Sequence, residues 1–219
     1  MVVEMTGAPK LQIALDCLTI DAALHLMEQV HHYVDIVEVG TPLIFEEGLG
    51  AVEQIKSKYP DKIYMADLKI MDAGGIEAGS GFARGADIVT VLGIAADVTI
   101  RAALESADRH GGEVMIDLIN APDPVPRCCE LEGMGVPILC LHTAFDRQGS
   151  VKADSQSLAE VRRQVACRVA VAGGITLDTL PAVVDAGADI VIVGGAIARA
   201  PDPGEAAASM KQRLARRLA

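Results

Sequence analysis

Residues 84–95 read RGADIVTVLGIA, and residues 186–197 read AGADIVIVGGAI. Each is a short β-branched run reached through Gly-Ala-Asp and left through glycine. The second begins 102 residues after the first, close to half of the 219-residue chain. Six more runs of this kind surround them: LQIALD (11–16), VDIVEV (34–39), KIYMAD (62–67), EVMIDL (113–118), PILCLH (137–142) and RVAVA (168–172). With ADIVTVL (86–92) and DIVIV (189–193) they make eight strand-like runs. Their spacing of roughly 25 residues leaves room for one helix and short loops. The segments between them have helical spacing. Ala23, Leu26, Met27 and Val30 fall at i, i+3, i+4 and i+7. Met210, Leu214 and Leu218 repeat every four residues near the end, beside Lys211, Arg213, Arg216 and Arg217, whose charge suits a helix C-terminus.

Strict alternation of eight strands with eight helical segments predicts parallel pairing through right-handed crossovers. It predicts a (β/α)8 TIM barrel over residues 1–219, with residues 1–10 as a short tail. The 102-residue echo then sets strand four against strand eight, as half-barrel repetition would. A doubly wound open sheet is the rival architecture, but no G-x-G-x-x-G follows the first strand.

Hydrophobic residues make up 51% of the chain and charged residues 22%, which excludes a disordered chain or a disulfide-stapled miniprotein. Aromatic residues are 3% and Trp is absent, so the core must be built from Ala, Val, Ile and Leu, as in a sheet covered on both faces. A net charge of −11 argues against nucleic-acid binding but leaves a small phosphate ligand open, because backbone N–H groups bind anions without basic side chains. The five cysteines (17, 128, 129, 140 and 167) form no CxxC pair, and their odd number predicts a reducing, cytoplasmic setting. Cys140, in an apolar run, reads as a small buried hydrophobe. No run of 18 apolar residues predicts a membrane span.

The ionisable residues break this apolar pattern in one place. Asp16, Glu38, Asp67, Asp117 and His142 all stand at or near the C-terminal ends of their runs, the rim that carries catalysis in (β/α)8 proteins. Each alone could be a solvated strand end; five together point to a site. Within Asp67-Leu68-Lys69, strand alternation points Asp67 and Lys69 the same way. Glu38 and Asp67 could hold Mg²⁺ through hard oxygen ligands. Paired glycines follow runs seven (Gly173-Gly174) and eight (Gly194-Gly195), where this architecture places its phosphate cradle. His142 could move protons near neutral pH. His25, His31, His32 and His110 read as surface residues, and His31 and His32, as helical neighbours, are expected to diverge.

The segments LQIALD (11–16), YVDIVEVGTPLI (33–44), ADLKIMDAG (66–74), GADIVTVLG (85–93), VAGGI (171–175) and GADIVIVGGAI (187–197) resemble those of the 3-hexulose-6-phosphate synthases, a group within the orotidine-5′-monophosphate decarboxylase superfamily. The resemblance covers nearly the whole chain. DxKxxD (67–72) is the superfamily hallmark, and VGTPLI with MDAG narrows the match. Four positions separate the synthases from the related 3-keto-L-gulonate-6-phosphate decarboxylases. Asp117 stands where the decarboxylases have Glu, Ala172 where they have Thr, Phe145 where they have Arg, and Gly195 where they have a phosphate-binding Arg. Phe145, Ala144 and the glycine-rich stretch 74–81 (GGIEAGSG) depart from the usual synthase pattern.

The resemblance implies an aldol addition of formaldehyde to ribulose 5-phosphate through an enediolate. Mg²⁺ would sit on Glu38 and Asp67, Lys69 would add positive charge, and His142 would take the proton, with Asp117 orienting it or a water. Asp16 and Thr41 would contact substrate, and Gly173, Gly174, Gly194 and Gly195 its phosphate. Asp72 would reach into the active site of a partner subunit, which implies a homodimer. The decarboxylase and a non-catalytic phosphosugar-binding protein are the alternatives.

Overall fold

The computed structural model describes residues 7–147 and 155–215. Eight strands form the barrel wall: β1 (Lys10–Leu15), β2 (Ile36–Val39), β3 (Ile63–Ile70), β4 (Ile88–Leu92), β5 (Glu113–Asp117), β6 (Ile138–His142), β7 (Arg168–Ala172) and β8 (Ile190–Val193). They pair in sequence order and in parallel, and β8 returns to β1, with Lys10 opposite Ile190 and Ile13 opposite Val193. Closure disposes of the open-sheet alternative. Of the short tail predicted over 1–10, residues 1–6 lie outside the described residues, and Lys10 is already in β1.

The helices are α1 (Ile20–Val30), α2 (Thr41–Glu47), α3 (Gly50–Lys58), α4 (Gly74–Ala83), α5 (Asp97–His110), α6 (Pro124–Gly133), α7 (Ser155–Gln164), α8 (Leu180–Asp185), α9 (Gly195–Ala198) and α10 (Pro203–Ala215). A 3₁₀ turn, Phe145–Arg147, follows β6. Simple alternation thus undercounts the helices. After β2 the chain makes two, because Pro42 starts α2 at once and Gly48, at φ 70°, ends it. After β8 it makes α9 before α10. In α10, Met210 and Leu214 are buried as their spacing predicts; Leu218, Arg216 and Arg217 lie outside the described residues.

Two cores result from strand alternation. One face of each strand packs against the helices. The other fills the barrel, and there the even strands β2, β4, β6 and β8 each supply an isoleucine at the corresponding place: Ile36, Ile88, Ile138 and Ile190. Farther up the interior the side chains turn polar, from Gln12 to Glu38 and Thr90, and then to Asp67 and Asp117. The apolar floor keeps water out below. The charged groups are carried to the C-terminal mouth.

The sequence echo has a structural cause at the opposite end. Asp87 and Asp189, each in a Gly-Ala-Asp triplet, accept the amide of the preceding strand, from Tyr64 and Val169, both at 2.8 Å. Asp35 does the same for Leu11 at 2.8 Å. Lys56, Arg162 and Lys211 neutralise these three carboxylates. The glycine-rich α4 is likewise explained by contact. A Cβ on Gly74 would lie 2.0 Å from the Thr99 carbonyl oxygen, so glycine there lets α4 settle directly on α5.

One expectation fails locally. The rings of His31 and His32 do not diverge but lie 3.8 Å apart, because α1 ends at Val30 and both residues are past its last turn.

Candidate active site

The site grows from an irregularity in β3. Ala66 pairs with Val89 and Ile70 with Val91, so four steps on β3 span two on β4. The bulge holds two extra residues and preserves inside–outside parity. Lys69, at φ 48°, takes the left-handed turn. Its amide leaves the ladder and donates to the Thr90 hydroxyl at 2.9 Å. Asp67 and Lys69 do point the same way, as alternation predicts, but through this bulge rather than a regular strand.

Asp67 is buried, and both its oxygens are used. Oδ1 accepts from Thr90 Oγ1 at 2.8 Å. Oδ2 accepts from Lys69 Nζ and from Thr41 Oγ1, each at 2.7 Å. Thr41, expected to touch substrate, braces Asp67 from the start of α2. Lys69 Nζ also reaches Asp117 Oδ2 at 3.3 Å, so one ammonium bridges carboxylates from β3 and β5. Burial works against that ammonium, but the charges of Asp67 and Asp117 outweigh it and hold Lys69 above the ordinary lysine range.

Asp117 continues the chain to His142 on β6. Its Oδ2 lies 2.9 Å from His142 Nδ1, while Oδ1 accepts the Ile119 amide at 2.9 Å. Burial raises the Asp117 carboxyl, but the hydrogen bond and charge of His142, together with Lys69, bring it below the usual carboxylate range. An ionised Asp117 can only accept, so Nδ1 carries the hydrogen, and in the neutral imidazole Nε2 is then the nitrogen with the lone pair.

Glu38 is buried on the other side of the mouth, with Gln12 Nε2 donating to its Oε2 at 2.7 Å. Burial first, and then the charges of Asp67 and Asp16, push its carboxyl well up. Such mutual repulsion between buried carboxylates is what a bound cation relieves. Among the described residues no three His, Cys, Asp or Glu side chains gather as a complete metal cage. Glu38 and Asp67 line the same small cavity, and two carboxylates are a donor set suited to a hard cation such as Mg²⁺ rather than to a zinc-type site.

Asp16 follows the last residue of β1 and leans over the β2–α2 turn, where a Cβ on Gly40 would come within 2.3 Å of its Oδ1. Enclosure on one side and the charge of Asp67 raise its carboxyl, against the pull of Lys69, His142 and Arg199. Gly173-Gly174 and Gly194-Gly195 follow β7 and β8, at the same rim as the charged cluster. Cys140 is buried in the barrel below His142, as expected. Asp72 does not join the cluster: it is exposed beyond β3 and accepts the amide of Ala73 at 2.7 Å. Sequence reading passed over Gln12 and Thr90. Both are polar residues at inward positions of otherwise apolar runs, and that was the available signal.

A closed barrel whose C-terminal mouth joins Asp67, Lys69, Asp117 and His142 in one hydrogen-bonded chain defines a (β/α)8 barrel of the enzyme type. The chain belongs to the orotidine 5′-phosphate decarboxylase / HUMPS family, which residues 9–210 match. It is 44% identical over 204 residues to the 3-hexulose-6-phosphate synthase of Bacillus subtilis, covering 93% of this chain and 97% of that one. It superposes on the crystal structure of 3-hexulose-6-phosphate synthase from Salmonella typhimurium with a TM-score of 0.92 at 41% identity, covering 94% of this chain and 99% of that one. The crystal structure of 3-keto-L-gulonate-6-phosphate decarboxylase from Vibrio cholerae is more distant, at 28% identity and a TM-score of 0.85 over 95% of this chain and 98% of that one.

Proposed function

We infer that the chain acts as a 3-hexulose-6-phosphate synthase, an aldehyde-lyase joining formaldehyde to D-ribulose 5-phosphate to give D-arabino-hex-3-ulose 6-phosphate, and reversing that step. The observation that carries the reading is the unbroken chain from Asp67 through Lys69 and Asp117 to His142. It sets a fixed cation beside a proton carrier, as deprotonation next to a ketone requires. The higher identity to synthases than to the decarboxylase favours this substrate pair.

In this reading His142 Nε2 takes a proton from C1 of ribulose 5-phosphate. The Lys69 ammonium faces the negative charge that moves onto oxygen. The C1 carbon then bonds to formaldehyde carbon, and His142 returns its proton to the former formaldehyde oxygen, so protons balance over the cycle. Asp117 keeps His142 in the tautomer that leaves Nε2 free. Glu38 and Asp67 would hold Mg²⁺, which when bound acts as a Lewis acid on the substrate oxygens. Asp16 orients hydroxyls, and the glycine turns after β7 and β8 receive the phosphate.

The protein works as a homodimer in this reading. Asp72 is exposed just past β3, and Phe45, Ile76 and Val98, on the helices α2, α4 and α5 that follow the successive strands β2, β3 and β4, are 83%, 76% and 74% exposed. An apolar rim of this kind suits a second copy, with Asp72 delivered to its site. Five free cysteines favour a reducing, cytoplasmic setting. No helix among the described residues is long and apolar enough to cross a membrane.

A coupled assay tests the reading. Formaldehyde should be consumed with ribulose 5-phosphate in the presence of Mg²⁺, and the rate should collapse with chelator. Release of CO₂ from 3-keto-L-gulonate 6-phosphate without formaldehyde consumption would replace the synthase with the decarboxylase.

A further inference from the structure

The proposed substrate carries a phosphate dianion into a mouth lined by Glu38, Asp67 and Asp117, in a protein of net charge −11. The glycine turns offer that phosphate backbone amides and no cation. Arg199, just past α9, changes this balance. A Cβ built on Gly195 would lie 2.2 Å from Nη2, 2.5 Å from Cζ and 2.8 Å from Nη1 of Arg199. The guanidinium therefore occupies the space that any other residue at 195 would fill with its own side chain.

The neighbouring Gly194 faces Asp16, whose Oδ2 would be 3.2 Å from a Cβ there. Arg199 is close enough to act on Asp16 electrostatically, yet the two form no ion pair. Among the described residues the Arg199 side chain makes no hydrogen bond or salt bridge; only its backbone amide is engaged, with the Gly195 carbonyl at 3.1 Å. Arg127, Arg162 and Arg168, by contrast, are each committed to a carboxylate. An exposed fork of donors is thus parked against the turn after β8 with its hydrogen-bonding capacity unspent. A planar guanidinium matches two phosphate oxygens at once and keeps its charge at any working pH.

We propose that Arg199 is the phosphate-gripping residue of the substrate site, and that Gly195 is glycine so that the Arg199 guanidinium can lie over the β8–α9 turn. The inference deepens the synthase reading and rests on its placing the substrate phosphate at this turn. Arg199 is a binding residue distant from the reacting carbons, so its loss should appear mainly in affinity.

Binding is read directly by calorimetry with ribulose 5-phosphate and, as a separate probe, inorganic phosphate. Kinetics are followed in the formaldehyde assay. Arg199→Met should weaken both ligands by about tenfold to a hundredfold, the range of a lost charge-assisted hydrogen-bonding group. The rise in KM should exceed the fall in kcat. Arg199→Lys should recover part of the affinity. Gly195→Ala should mimic Arg199→Met by displacing the guanidinium, with thermal unfolding measured alongside to show that the variant is folded. Arg199→Met binding both ligands within twofold of the unaltered protein would overturn the proposal, as would an unaltered protein that binds neither. Arg199-dependent binding of ribulose 5-phosphate without aldol turnover would sustain the phosphate role and reject the synthase reading instead.

Discussion

Thr90 and Asp67 meet across the gap opened between β3 and β4. The Thr90 hydroxyl donates to Asp67 Oδ1 at 2.8 Å and accepts the Lys69 amide at 2.9 Å. One side chain therefore satisfies the backbone group freed by the bulge and fixes the carboxylate that the bulge presents. The isosteric Thr90→Val leaves both groups unpaired in a buried setting, at a cost of roughly 1–3 kcal/mol. Denaturant unfolding should show that loss. The aldol rate should fall by about tenfold to a hundredfold as Asp67 and Lys69 lose their fixed geometry.

Lys69 is the bridge between Asp67 and Asp117. Lys69→Met keeps the length of the side chain and removes the charge. Two buried carboxylates then lose the cation between them, so the variant should lose on the order of 3 kcal/mol of stability. It should also lose at least about 10²–10³ in kcat, the usual consequence of removing a preorganised positive group from an oxyanion site. Near-normal turnover in a folded Lys69→Met protein would remove the lysine from the chemistry.

Asp117→Asn tests the tautomer. An amide NH₂ facing His142 Nδ1 favours hydrogen on Nε2, the wrong nitrogen for a base, and kcat should fall by about 10²–10⁴. The change has a pH signature too. The folded protein holds Asp117 below the ordinary carboxylate range. Its contribution to stability is present above the unfolded carboxyl's pKa and is lost as pH falls through the lower folded value. The acid limb of a stability–pH curve should therefore be shallower in Asp117→Asn.

Glu38 behaves in the opposite sense. Burial and the charges of Asp67 and Asp16 raise its carboxyl well above normal. The folded state then holds a proton that the unfolded state releases, so stability falls as pH rises from the unfolded carboxyl's pKa through the folded one. Glu38→Gln should erase that slope. In metal-free buffer at neutral pH it should melt higher, by something like 0.5–2 kcal/mol of added stability, while losing activity. A lower melting temperature in chelator would contradict the assignment of Glu38 as a strained, cation-seeking carboxylate.

The strands were legible because each β-branched run lies between turn signals, and the rim was legible because charge interrupts apolar runs at one end only. The β3 bulge was hidden, since two inserted residues keep the alternation in phase and leave the pattern of Asp67, Leu68 and Lys69 unchanged. Thr41 carries a hydroxyl whose partner depends on how α2 folds back over β3, and no local pattern specifies that. Arg199 was overlooked because its relation to Gly195 is a contact between the first residue of a four-residue helix and the residue just past its end. The Gly-Ala-Asp echo was read as a sign of repetition, and its physical basis is the aspartate that ties each neighbouring strand at the barrel floor.

Proton exchange at C1 of ribulose 5-phosphate tests the central claim most directly, because it needs no second substrate. In D₂O with Mg²⁺ and without formaldehyde, proton NMR should show the unaltered protein washing out one C1 hydrogen. His142→Ala and Lys69→Met should leave it in place. Retention of both C1 hydrogens by the unaltered protein, or unchanged exchange in His142→Ala, would contradict an enediolate formed by this cluster.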